Sequence, residues 1–160
     1  MKMEPEKESM KAQAAVVTSV PIDVAPAELI DKMTVLAIKA ERLTSDEQLH
    51  SVRAELAALR PVRDSRIPAT QQLDGLIAEL RKVNEVLWDL EEVVRRCDAV
   101  EDLGESFVQA ARAIIHANNR RVALKRAINA LLGARFQEEK SYPLPDPLAT
   151  KDSKGTGHRE

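Results

Sequence analysis

The chain has 160 residues, 44% of them hydrophobic and 31% charged, and carries a formal net charge of -2. That is enough apolar material for one domain with a buried core and too little chain for two of ordinary size, and the charge balance excludes the uncompensated basic surface of a general nucleic-acid binder. No run approaches the ~18 apolar residues of a membrane span, and the acid-containing start MKMEPEKESMK lacks the hydrophobic stretch of a secretory signal.

A soluble cytoplasmic chain with no nucleic-acid and no membrane partner is therefore expected. Aromatics make up only 2% and glycines number 5, while Ala, Leu, Glu and Arg recur throughout, so the fold class is all-α. Cys97 has no partner for an internal disulfide and lies on an apolar stripe, which fits a small buried hydrophobe in a reducing compartment.

In chain order, residues 1–20 are polar and aperiodic and are expected to be disordered. An extended lead-in follows, interrupted by Pro21. The first helix is predicted to open at Pro26, where a missing N–H costs nothing. Leu29, Ile30, Met33, Leu36, Ala37, Ala40 and Leu43 share one of its faces, and it ends near Thr44. Ser45 with Gln48 forms a capping-box pattern, so a second helix is predicted there, with Leu49, Val52, Leu56 and Leu59 inward and its end at Pro61.

The stretch PVRDSRIPA (61–69) is expected to be a linker. A third helix is predicted from about Thr70 to Cys97, with apolar residues from Leu73 to Val94 at three- and four-residue steps. At 1.5 Å per residue it would be ~40 Å long, an invitation to coiled-coil-like pairing. The next turn is expected over Asp98 to Glu105, and the fourth helix over Ser106 to Leu132, with Gly133 as its C-terminal cap. The predicted architecture is two antiparallel helical hairpins, one short and one long, forming a helix-bundle or coiled-coil-like domain over 21–142, followed by a disordered tail over 143–160.

Several polar residues fall where a core should be. On the third helix Asn84 and Glu91 project into the apolar stripe, with Trp88 beside them. On the fourth, Asn118, Arg121, Lys125 and Asn129 share the sector of Phe107, Ala111, Ile114 and Val122. Lys32 and Lys39 flank the apolar face of the first helix. Unpaired buried charges cost several kcal/mol each, so two readings stand. Glu91 pairs with Arg121 or Lys125 in a closed network that fixes register, or the cations outnumber the acid and leave a pocket for a small carboxylate or phosphate.

The basic run of Arg112, Arg120, Arg121, Lys125, Arg126 and Arg135 faces the acids of the preceding helix and turn across the hairpin, so internal neutralisation is expected. His50, His116 and His158 have no ligand-like spacing, and no phosphate loop, nucleophile elbow or zinc motif occurs. No metal and no cofactor are expected.

The segments ELIDKMTVLAIKAERL (28–43), LRKVNEVLWDLEE (80–92), ARAIIHANNRRVALKRAINALL (111–132) and EEKSY (138–142) together resemble a bacterial domain-of-unknown-function family of short all-helical proteins. The signature residues are Glu28 to Lys32; Asn84, Leu87 and Trp88; and Asn118, Arg121, Lys125 and Asn129. The resemblance covers about residues 20–142, implies docking of EEKSY through Phe136 and Tyr142, and implies no reaction. The expected role is a non-catalytic interaction or scaffold module, with a homo-oligomer or another protein as partner. The alternative is a small enzyme or sensor taking an anionic metabolite between the long helices.

Overall fold

A computed structural model of the chain describes residues 20–136. The expected disordered ends, apart from Val20, and the EEKSY segment with Tyr142 lie outside them. Four helices follow the lead-in: α1 (Pro26–Arg42), α2 (Asp46–Arg66), α3 (Gln71–Ala99) and α4 (Glu105–Leu131). The α3–α4 hairpin is the long one, and α1 lies against both of its helices. The backbone of α2 packs on α1 alone.

Both hairpins form as predicted, and the departures lie at their ends. Instead of stopping at Pro61, α2 runs through it to Arg66. A proline forfeits one i→i−4 hydrogen bond. Pro61 and Ala57 are both exposed, so water can take up the orphaned carbonyl. The extra turn carries Ile67 into the core, where it is buried. The linker shrinks accordingly to Ile67–Thr70, and the Thr70 side chain accepts the Leu73 N–H at 3.2 Å to cap α3.

Ser45 does occupy the N-cap of α2, but its side chain makes no capping bond. Gly133 closes α4 as expected, in a left-handed conformation (φ 63°), with the Ala134 N–H bonding to the Asn129 carbonyl. The same pattern closes α3 with a residue that composition did not single out. Glu101 takes the left-handed position (φ 54°), and the Asp102 N–H reaches the Cys97 carbonyl.

The core sits at one end of the bundle. Ala27, Ile30, Ile67, Leu73, Leu80, Leu124 and Ile128 form it, where the start of α1, the end of α2, the start of α3 and the end of α4 meet. At the other end the long hairpin is bare, and from Trp88 to Arg121 only Ala110 is buried. Cys97, expected to be buried, is only half-buried there. The reason is length. With 17 residues α1 spans ~26 Å, against ~40 Å for the 27 residues of α4, and it cannot cover the whole hairpin.

Candidate functional site

On α1 the buried positions are Ala27, Ile30, Asp31, Thr34, Leu36 and Ile38, so an acid and a hydroxyl share the inner face with the aliphatics. Asp31 is 5% exposed and is the acid of the polar network. Its Oδ1 accepts from Arg121 Nε at 3.0 Å and from Asn84 Nδ2 at 2.9 Å, and its Oδ2 accepts from Arg121 Nη2 at 2.5 Å. The Asn84 amide donates its other hydrogen to Thr34 Oγ1 at 2.8 Å, and that hydroxyl donates to the Asp31 carbonyl at 2.7 Å. A bidentate guanidinium–carboxylate pair thus ties α4 to α1, and one amide ties both to α3.

The α1–α4 contact continues one helical turn at a time. Lys125, 7% exposed, places its Nζ 2.8 Å from Glu28 Oε1. One turn further, the fully buried Asn129 accepts the Ala27 N–H at 3.0 Å through Oδ1. This last bond caps α1 from another helix. Its own N-cap, Ala25, has no side chain that could do so. Asn129 Nδ2 is buried and has no hydrogen-bond partner among the described residues.

Of the nine residues singled out in the sequence, Arg121, Lys125, Asn129 and Asn84 are joined in this ladder. The others are not. The expected pairing of Glu91 with Arg121 or Lys125 does not occur, because Glu91 is exposed and pairs with Arg95 one turn along its own helix at 2.7 Å. Lys32 is exposed and pairs with Glu55 of α2 at 2.7 Å. Trp88 is half-buried, donates from Nε1 to Glu92 at 2.8 Å and lies under the Arg42 guanidinium, 6.0 Å from the ring centre.

Arg42 also pairs with Asp89, whose hydrogen bond raises its pKa above the ordinary arginine value; Glu41 does the same for Arg81. Phe136, the described one of the two expected anchors, is exposed, with the Arg135 guanidinium over its ring. The acids that sequence projection passed over are Asp31 and Glu28. Both were in view within ELIDK, but the α1 face drawn through Leu29, Met33 and Ala40 pointed away from them.

Val108, Ala111, Ile115, Asn118, Val122, Lys125 and Asn129 recur along α4 in alternating steps of three and four, the seam of a coiled coil. Its C-terminal half is covered, with Val122 8% and Asn129 0% exposed. The N-terminal half lies open, with Val108 44% and Ile115 60% exposed and Ala111 and Asn118 half-buried.

Lys39 and Trp88 meet at a cleft of about 420 Å³ between α1, α3 and α4. Among the described residues, no group of three or more His, Cys, Asp or Glu is placed to hold a metal ion, and no helix is long and apolar enough to cross a membrane. No curated protein and no solved structure matches the chain. A family model does match, over residues 20–156, described as "Family of unknown function (DUF6165)", and the chain belongs to that family.

Proposed function

We propose that this member of a family of unknown function is a non-catalytic helical interaction module that pairs with a second copy of itself along the open half of the α4 seam. The observation that carries the reading is the half-covered seam. One three-four repeat is buried from Val122 to Asn129, where α4 meets α1, and open from Val108 to Asn118, where Val108 and Ile115 are exposed. Exposing a regular apolar seam on a two-helix hairpin forgoes its burial, and a helix laid along it restores that burial.

Charge favours the chain itself, antiparallel, as the occupant. The hairpin tip carries Asp98, Glu101, Asp102 and Glu105, whereas no acid occurs from Phe107 to Phe136. Antiparallel two-fold pairing lays each acidic tip against the partner's acid-free stretch, and parallel pairing would set acidic tip against acidic tip. Asn118 then sits within the seam, where a lone polar side chain fixes register.

Sedimentation equilibrium tests the reading. The expected mass is twice the 17.8 kDa of the chain. Ile115→Asp should yield a folded monomer with unchanged helical content, while Val86→Glu, at an exposed position of α3 outside the seam, should remain a dimer. A wild-type monomer, or an Ile115→Asp dimer, overturns the proposal.

A further inference from the structure

The geometry points to a second site, a binding cleft for a small carboxylate with an apolar body, where the C-terminal half of α1 faces α3 and α4. Val35, Leu87 and Trp88 line the apolar side of the cleft, and Lys39, Arg95, Arg121 and the acid Glu91 bring charge to it. Its volume of about 420 Å³ is that of a small-metabolite site and too small for a folded partner.

Charge decides the class of ligand. Arg95 is matched by Glu91, and Arg121 is held in a bidentate pair by Asp31. Lys39 is half-buried and forms no ion pair among the described residues. A half-buried ammonium without a counter-ion is a place where an anion gains more than it would in bulk water. Among the described residues that line the cleft and the two acids Glu91 and Asp31, the surplus is one unit, which a monoanion neutralises and a phosphate dianion overshoots.

The apolar lining sets the rest of the ligand. Asn84, also at the cleft, has both amide hydrogens committed to Asp31 and Thr34, so it offers an incoming ligand no donor. A carboxylate whose apolar body rests on Val35, Leu87 and Trp88 while its oxygens meet Lys39 satisfies both halves of the cleft. Pairing of copies through α4 is not required for it.

Trp88 is the only tryptophan in the chain, so its emission reports on this cleft alone. The test is titration with benzoate, with its neutral isostere benzamide and with inorganic phosphate, followed by emission and by calorimetry. It is run on the wild-type chain and on Ile115→Asp, which separates the cleft from self-association. Saturable benzoate binding is expected in both, weakened about tenfold or more by Lys39→Met, with weaker or absent binding of benzamide and phosphate. Absence of benzoate binding by both readouts, equal binding of benzamide, preference for phosphate, or an unaltered affinity in Lys39→Met would overturn the assignment.

Discussion

Asp31 is the residue on which the polar network turns. It is the acceptor shared by Arg121 and Asn84, and its removal takes a bidentate carboxylate from a partly buried guanidinium. A fully buried partner would cost about 3–5 kcal/mol, but the Arg121 side chain keeps 31% of its exposure, so water screens part of the loss. Asp31→Asn should therefore destabilise by about 2–3 kcal/mol in urea unfolding. Combined with Arg121→Met it should cost clearly less than the sum of the two singles, and strict additivity would show that the pair is not coupled. Glu91→Gln is expected to change stability by no more than about 0.5 kcal/mol, since among the described residues it bonds to an exposed arginine on its own helix. Asn129→Ala belongs with the larger effects. It strands the Ala27 N–H inside the protein, at a cost of about 1–3 kcal/mol.

At the scale of the element, two helix ends show how similar signals lead to different outcomes. Ser45 stands at the N-cap of α2 without a side-chain bond, whereas Thr70 caps α3 through one. Thr70→Ala should accordingly cost about 1 kcal/mol in thermal or chemical unfolding, and Ser45→Ala only a few tenths. A larger loss at Ser45 than at Thr70 would contradict the end geometries. At the far end of α3, Glu101 holds a left-handed conformation that a side chain disfavours. Glu101→Gly is expected to raise stability by about 0.5–1 kcal/mol, less the entropy that glycine adds to the unfolded chain.

Across the whole molecule, stability is concentrated at one end. Buried aliphatics cluster where all four helices meet, and the α3–α4 hairpin leaves that cluster for a stretch held by Ala110 and half-buried residues. Hydrogen exchange should therefore be slow in α3 around Leu73 to Leu87 and faster from Val93 to Ile115 in dilute protein. If copies pair through the open seam, raising the concentration should slow exchange in the Val108–Asn118 stretch of α4, because association adds a concentration-dependent term to local stability. Uniform protection along the hairpin at every concentration would argue against an uncovered end.

Period and punctuation determined the helices. Apolar recurrence at three and four residues, Pro26, the Thr44–Ser45 break and Gly133 depend on local geometry, and local geometry is written in neighbouring residues. The same information showed that Arg121, Lys125, Asn129 and Asn84 lie where side chains meet. Which acid meets them was decided by tertiary structure. The rotation at which α1 docks turns Asp31 and Thr34 inward, away from the face drawn through Leu29, Met33 and Ala40, and no single-helix projection sets the rotation at which three helices pack. The passage of α2 through Pro61 was decided in the same way, because burial of Ile67 depends on residues distant in the chain. The bare seam of α4 is the clearest case. Its repeat is present in the sequence from Val108 to Asn129, but which half stays uncovered follows from where the shorter α1 docks along it.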